Sequence, residues 1–237
     1  MDHSKASREW ERPSYAGHCR VVAPGEVPRR GLGTKEGRAA LLHAIAHIEY
    51  SAIDLALDAA YRFKNMPAEF YADWLEVADD ECRHFLMIEE LLRGLGYRYG
   101  DFAVHAGLFE AARRTPTLLE RMAVVPRYLE ANGLDANPKL IERLRRMGDD
   151  TAKKMVEALE VILREEIDHV RKGDWWFRWA CEREGVADPV QTYLDIVERH
   201  YPGSLRSKEY LNIEARKAAG FVCDELERLA RRDISCK

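Results

Sequence analysis

Two Glu-x-x-His pairs, Glu81 with His84 and Glu166 with His169, constrain the fold of this chain more than any other feature. A spacing of three residues stacks two side chains on one face of an α-helix. Apolar residues recur with helical period around both pairs: Trp74, Val77, Phe85, Ile88 and Leu92, then Leu159, Ile162 and Val170. Both glutamates are therefore predicted to face a core, where an isolated carboxylate is costly unless it is neutralised, paired or bound to a metal. Together the pairs indicate a shared cation site.

A third carboxylate falls within the apolar stripe of an earlier helix. We expect this helix to begin after Thr34, a good N-cap residue, and to end near Asn65-Met66-Pro67, since proline disfavours helical geometry in the residue before it. Glu49 lies seven residues after Leu42, inside the stripe. The next helix carries Glu81 and His84 and is predicted to end around Gly94 to Gly96.

The spacing of the glutamates provides a check on register. Glu49 and Glu81 are 32 residues apart, with their midpoint at residue 65, inside the predicted turn. Glu130 and Glu166 are 36 residues apart, with their midpoint at Gly148, which is again a predicted turn. Because both helices of a hairpin rise by about 1.5 Å per residue from the turn, the two acids of each pair are predicted to lie at the same level.

The third helix of this set is predicted to be irregular. Thr115-Pro116 is expected to start it, Pro126 to kink it, and the stretch from Asn132-Gly133 to Asn137-Pro138 to interrupt it. Glu130 lies between the two disturbances. The fourth helix is expected to start after Gly148, with Asp149 or Asp150 as its cap, and to run through Glu166 and His169 toward Trp179.

These segments predict an all-α chain with three parts. Residues 1–33, rich in proline and glycine, form an extended N-terminal arm; residues 34–185 form a four-helix bundle. A long connection from Tyr97 to Thr115 with a short helix crosses between the two hairpins. Residues 186–237 form a C-terminal extension that packs on the bundle, with helices at Val190 to His200 and Glu209 to Arg232.

The combined ligand set predicts a dimetal centre. Four carboxylates and two imidazoles suit two divalent metals in a four-helix bundle, and mixed oxygen and nitrogen ligation favours iron or manganese over structural zinc. The predicted ligands are Glu49, Glu81, His84, Glu130, Glu166 and His169. We predict no catalytic residue beyond them.

Composition excludes several other classes. The chain of 237 residues, 46% hydrophobic and 33% charged, is typical of a soluble globular protein. No apolar run approaches the roughly 20 residues that span a bilayer, and the N-terminus lacks the apolar core of a signal peptide, so a cytoplasmic location is expected. The five cysteines form no Cys-x-x-Cys pair, which argues against a zinc ribbon or a rubredoxin site. The net charge of −4 gives no global reason to expect nucleic acid.

The pattern of these six residues resembles the ferritin-like di-iron carboxylate superfamily. The local sequences His43 to Glu49 and Leu129 to Asp135 resemble an uncharacterised bacterial ferritin-like family within it, and the MiaE-type tRNA hydroxylases are more distantly similar. The resemblance implies a ferritin-like four-helix bundle with two iron ions, or with manganese or a mixed manganese and iron pair.

Three functions are compatible with this resemblance. The first is an oxidase or monooxygenase that activates O2 and hydroxylates an unknown small molecule or tRNA, with an electron donor protein as a partner. The second is iron oxidation or peroxide detoxification of the ferritin or rubrerythrin type. The third is a non-enzymatic protein stabilised by metal. We expect no membrane partner, and a monomer or dimer rather than a ferritin cage.

Several other residues have both a functional and a structural interpretation. His43 and His47 mimic a zinc pair, but His47 lies about 160° around the helix from Glu49, so hydrogen-bonded structural histidines are favoured. For Tyr50, packing is favoured over a radical role. Asp54 and Asp168 could hydrogen-bond ligand imidazoles or form ion pairs.

Aromatic and basic clusters also remain open. The aromatic residues Trp175, Trp176, Phe177 and Trp179 are expected to pack rather than line a substrate channel. The basic runs Arg113-Arg114, Arg143 with Arg145-Arg146, and Arg231-Arg232 are expected to be solvated faces rather than an RNA contact.

Overall fold

The computed structural model describes residues 10–205 and 210–230. Within these ranges the chain is helical, and its β-type pairing is an isolated bridge between Val21 and Val104. The predicted all-α class is confirmed. The helices are α1 (Lys35–Arg62), α2 (Ala68–Gly94), α3 (Gly107–Arg113), α4 (Leu118–Val124), α5 (Ala131–Met147), α6 (Asp150–Glu184), α7 (Pro189–His200), α8 (Ile213–Ala218) and α9 (Cys223–Leu229). A π-helical segment, Val125–Glu130, joins α4 to α5.

The chain divides into two compact units. The first unit contains the chain up to Glu110 together with Leu144–Ala158, and the second contains Ala111–Arg143 and the chain from Leu159 onward. The predicted boundaries of arm, bundle and C-terminal extension stay a prediction.

In the first unit, α1 and α2 form an antiparallel hairpin. The Thr34 hydroxyl accepts a hydrogen bond from Gly37 N–H at 3.0 Å, which caps α1 as predicted. Asn65 adopts a left-handed conformation (φ 58°) in the predicted turn, and α2 follows Pro67 and ends at Gly94. The buried face is apolar: Leu42, Ile45 and Leu55 on α1; Phe70, Trp74, Val77, Ile88 and Leu92 on α2. Each such side chain contributes about 1.5–3 kcal/mol by its burial, so these two faces hold the hairpin together.

Helix α1 is also long and apolar enough to cross a membrane, judged by length and composition alone. In the structure, however, 61% of the relevant window is buried inside the protein. The buried residues include the carboxylates Glu49, Asp54 and Asp58. Much of the apolar surface of α1 is therefore covered by the rest of the protein.

The described residues before α1 pack against that helix and the α2–α3 connection. The Tyr15 ring meets the His47 ring edge-on with centroids 4.5 Å apart. Val22 N–H donates to Val104 O at 2.8 Å. Asp54 accepts hydrogen bonds from Ser14, from its backbone N–H at 3.1 Å and its hydroxyl at 2.8 Å. Asp54 therefore anchors the N-terminal segment.

In the second unit, a π-helical segment lies at Pro126, where the sequence predicts a kink. Proline has no N–H to donate to the preceding turn, and Ala131 N–H bonds Pro126 O, five residues earlier. Gly173 on α6 faces the proline ring so closely that a methyl group there would overlap it. The register change therefore depends on both Pro126 and Gly173.

The predicted interruption from Asn132 to Pro138 was wrong, because α5 continues through it with Pro138 inside the helix. Pro138 leaves the Leu134 carbonyl without its usual helical donor. The Asn212 side chain supplies a replacement, with Nδ2 donating to Leu134 O at 3.2 Å. Arg216 on α8 donates to Ala131 O at 3.1 Å and pairs with Asp135. A distant segment thus completes the helix.

Helix starts and ends differ from expectation at two further places. Helix α4 is capped by Thr117, whose hydroxyl accepts from Glu120 N–H, and not by Thr115, whose hydroxyl donates to Ala111 O. The predicted helix from Glu209 to Arg232 is instead split into α8 and α9 at Gly220 (φ 98°). Its ends, Glu209 and Arg231-Arg232, lie outside the described residues.

Candidate metal centre

Three of the predicted ligands lie together in the first unit. Glu81 and His84 are fully buried, and Glu49 is 4% exposed. His84 Nδ1 is 3.4 Å from Glu49 Oε2 and 3.4 Å from Glu81 Oε2. The three side chains offer ligand atoms that all lie within 4.8 Å of one another. This buried Glu and His cluster can hold a metal ion.

Local structure explains why these side chains converge. Glu81 and His84 occupy one face of α2 because they are one helical turn apart. Glu49 meets them because α1 and α2 run antiparallel from the turn at Asn65, which lies midway between Glu49 and Glu81 in sequence. The register predicted from the sequence therefore places both acids at one level.

Electrostatics show what the cluster costs without a metal. Burial and the charge of Glu81 raise the pKa of Glu49 to about 8, against the opposing effect of His84. Burial lowers the pKa of His84, but the hydrogen bonds that it donates to Glu49 and Glu81, together with their negative charge, outweigh burial and raise that pKa to about 10. At neutral pH, protons on Glu49 and His84 thus offset the buried negative charge that a cation would otherwise neutralise.

The donor atoms fit a divalent metal. Ligand atoms bound at about 2.1 Å to one ion lie about 3.0–3.4 Å apart, which matches the separations around His84 Nδ1. Glu49 Oε2 is buried, and its contact with His84 Nδ1 at 3.4 Å is long for a hydrogen bond, so this oxygen is available to a cation. Cys82 is a free cysteine, and burial raises the pKa of its thiol, which disfavours the thiolate that would ligate a metal. The cluster is a site of oxygen and nitrogen ligands.

The second unit repeats the Glu-x-x-His arrangement on α6. His169 is fully buried, Glu166 is 8% exposed, and His169 Nδ1 lies 3.9 Å from Glu166 Oε1. The neighbouring Glu165 is more exposed and pairs with Arg164, so Glu166 is the buried acid of the two. Glu130 is the last residue of the π-helical segment, and its Oε2 atom is buried. The combination of both halves into one centre of six ligands stays a prediction.

Comparison with known proteins places the chain in a family. Residues 1–227 match the family model described as "Protein of unknown function (DUF455)". The chain belongs to the DUF455 family. It is 45% identical over 215 residues to an "Uncharacterized protein" of Haemophilus influenzae. The aligned region covers 87% of this chain and 73% of that protein. No solved structure matches the chain. An uncharacterised family agrees with the sequence prediction, while its place among ferritin-like proteins stays a prediction.

In this DUF455 chain, His43 and His47 have structural partners, as favoured from the sequence. His47 Nε2–H donates to the His105 carbonyl at 3.0 Å, because a carbonyl can only accept. His47 Nδ1 is then the acceptor for Tyr99 O–H at 2.9 Å. His43 Nε2 accepts from Gly100 N–H at 2.9 Å. The two imidazoles fasten the α2–α3 connection to α1, and burial lowers the pKa of each to about 4.

Other candidates also take structural roles. Tyr50 stacks on Tyr99 with ring centroids 5.3 Å apart and packs against Phe85. Asp168 pairs with Arg171 and, at 2.8 Å, with Lys172 on its own helix. These contacts support packing for Tyr50 and ion pairing for Asp168.

The aromatic and basic clusters mostly follow expectation. Trp176 and Phe177 are buried and pack, whereas Trp175 is 65% exposed. The basic residues Arg113, Arg114, Arg143, Arg145 and Arg146 are exposed. Arg231-Arg232 lie outside the described residues.

Sequence reasoning missed the fully buried Arg127, which pairs with Asp174 and Glu225. The available signal was an arginine three residues before a predicted ligand, within an apolar run, but its partners are distant in sequence.

Proposed function

We propose that this DUF455 protein is a ferritin-like dimetal carboxylate oxidase or monooxygenase that uses O2 to oxidise an organic substrate. The observation that carries the proposal is the cluster of Glu49, Glu81 and His84, in which one imidazole nitrogen faces two buried carboxylates at 3.4 Å. Burying two carboxylates without a cation lowers the stability of the fold, so this cluster is better explained by a role in metal binding than by a role in stabilising the protein.

The proposed ligand set extends to both units. Glu49, Glu81 and His84 supply one half, and Glu130, Glu166 and His169 the other, so two iron or manganese ions are held by one set of six side chains. The repeated Glu-x-x-His pair on α2 and α6 supports this symmetry. The all-α fold and this ligand pattern are compatible with ferritin-like di-iron proteins, which are built on four helices.

When bound, the metals would pass electrons to O2 at open coordination positions, and an electron donor protein would return them. The chain's own residues do the rest. Glu49 and Glu81 provide negative charge that favours the oxidised metals. Burial of Glu81, His84 and His169 excludes bulk water from the ligands. Glu49 and His84 hold protons before metal binding and release them when they become ligands.

The test is O2 consumption by protein loaded anaerobically with ferrous iron. We expect an oxo-bridged diferric absorption spectrum after O2 is added, and loss of both signals in Glu81→Gln and His84→Gln. Glu90→Gln, an exposed acid on the same helix, is the matched control and should behave like wild type. A wild-type protein that binds iron but consumes no O2 contradicts the proposal.

The substrate class is either a small molecule or tRNA, and iron storage is the main competing use of the same chemistry. Size separates storage from oxidation, since a storage cage elutes as a 24-subunit particle. We expect a monomer or dimer in size-exclusion chromatography with light scattering. Hydroxylation assays with total tRNA and with small-molecule extracts then distinguish the two substrate classes.

A further inference from the structure

Glu130 occupies an unusual position, at the end of the π-helical segment Val125–Glu130. Single π turns inside α-helices are rare in proteins, and those that do occur often lie at functional sites. Because a π turn shifts the direction of every side chain that follows its start, whatever holds this segment also determines where the Glu130 carboxylate lies.

Arg127 holds the segment from within. Its side chain is fully buried, with Nε 2.9 Å from Asp174 Oδ1 on α6 and Nη2 2.6 Å from Glu225 Oε1 on α9. The guanidinium also lies over three aromatic rings at 4.2–4.8 Å, those of Phe177, Tyr193 and Phe221. Arginine therefore matches this position in charge, planarity and packing.

The two carboxylates are fixed by further contacts. Arg178 Nε donates to Asp174 Oδ2 at 2.8 Å, and Arg178 Nη2 is 3.3 Å from Glu225 Oε2. Val222 N–H donates to the same Glu225 oxygen at 3.0 Å. The network thus links the π-helical segment, α6 and α9 in the second unit.

The backbone of the segment is held as well. Tyr193 O–H donates to the Arg127 carbonyl at 3.0 Å, with both residues buried. The Pro126 ring lies against Gly173, where a larger side chain would overlap it. Buried ion pairs are a weak source of stability, since apolar replacements of similar volume are often neutral or stabilising. The ion-pair network is therefore better explained by its fixing the position of the π-helical segment than by a contribution to the stability of the fold.

We infer that Arg127 is a positioning residue, which with Asp174 and Glu225 fixes the π-helical segment so that Glu130 is presented as a metal ligand. Helix α9, far from the ligands in sequence, is then part of the machinery of the metal centre. The inference rests on the proposed function, because it takes Glu130 as a ligand.

The test compares Arg127→Met/Glu225→Gln with wild type and with Glu130→Gln. The double variant removes the cation and one partner charge while keeping volume among the aromatic rings. We expect wild type to bind two metals per chain, and both variants to bind the Glu130-dependent metal about 10- to 100-fold more weakly, the range for partners that orient ligands. Adding Glu130→Gln to the double variant should weaken binding no further, because both changes act through one carboxylate.

Gly173→Ala tests the same geometry without changing charge, and guards against a failure of the double variant to fold. We expect Gly173→Ala to weaken binding of the same Glu130-dependent metal. Ile196→Val, which trims a buried side chain on α7 outside the network, controls for general loss of stability and should keep both metals. In the metal-free protein, amide hydrogen exchange at Val125–Glu130 should be faster in the double variant and in Gly173→Ala than in Ile196→Val.

Folded variants that keep two tightly bound metals would overturn the inference, and so would unchanged exchange at Val125–Glu130. A wild-type protein without metal overturns the proposed function instead. The exchange measurement still tests the anchoring in that case, so the two failures are distinguishable.

Discussion

His84 Nδ1 on α2 lies 3.4 Å from Glu49 Oε2 on α1, within the antiparallel hairpin. Both groups are buried, and the pKa of each is raised, to about 8 for Glu49 and about 10 for His84. A metal-free protein at neutral pH therefore carries protons where a metal would bind, and this exchange of protons for metal makes the site testable in solution.

We expect metal binding to release protons. A carboxylate and a neutral imidazole are the binding forms, so the proton on Glu49 and the proton on His84 must leave. Affinity should consequently rise with pH between about 6 and 8. Calorimetry in buffers of different ionisation enthalpy measures the number of protons, and a binding enthalpy that is independent of buffer would contradict the expectation.

Glu49→Gln should stabilise the metal-free protein while weakening metal binding. The folded pKa of Glu49, about 8, exceeds its ordinary value, so its stabilising contribution is present at low pH and is lost as pH rises toward 8. Glutamine has the shape of the protonated acid but does not titrate, so it avoids that loss. We expect the free energy of unfolding to increase by on the order of 1–3 kcal/mol at pH 7. Urea unfolding in the presence of a chelator measures it, and a destabilised variant would refute the electrostatic account.

His43 should make the fold sensitive to acid. Burial lowers its pKa to about 4, and its Nε2 accepts a hydrogen bond from Gly100 that a protonated ring cannot accept. As pH falls, the imidazole is protonated in the unfolded chain at a higher pH than in the folded protein. The free energy of unfolding therefore has its full value above about pH 6.5 and decreases by up to about 3 kcal/mol as pH drops toward 4.

The measurement is the pH dependence of unfolding in wild type and His43→Gln. Glutamine can accept the Gly100 hydrogen bond without titrating, so the variant should lose part of the acid slope. His18→Gln, at an exposed position, is the control. Equal slopes in all three proteins would show that His43 does not carry the effect.

Asn65→Gly should be neutral or stabilising, whereas Asn65→Val should destabilise. Asn65 has a φ of 58°, a conformation that glycine adopts freely and that is costly for a β-branched residue, by about 1–2 kcal/mol. Because this turn sets the level of Glu49 against Glu81, metal affinity should fall with stability in Asn65→Val. Thermal unfolding with and without metal checks both effects, and a stable valine variant would contradict the role of the turn.

The α1–α2 hairpin could be predicted because its determinants are local. Thr34, the Asn65-Met66-Pro67 turn and the two apolar stripes fix the ends, faces and register of both helices without help from elsewhere. The convergence of Glu49, Glu81 and His84 follows from that register alone.

The second unit was harder to predict because distant residues override local signals. Pro138 is a helix breaker by itself, yet Asn212 and Arg216 complete the hydrogen bonding around it. The register change at Pro126 likewise depends on Gly173. No local pattern reports such partners, which is why Glu130 could be proposed from spacing while the device that holds it could not.

The proposed dimetal centre is tested most directly by the number and position of bound metals, measured by elemental analysis and anomalous diffraction on protein from iron-replete cells. We predict two transition metal ions per chain, bound by Glu49, Glu81, His84, Glu130, Glu166 and His169. A protein that holds no metal in this cluster, or binds metal only through other residues, would contradict it.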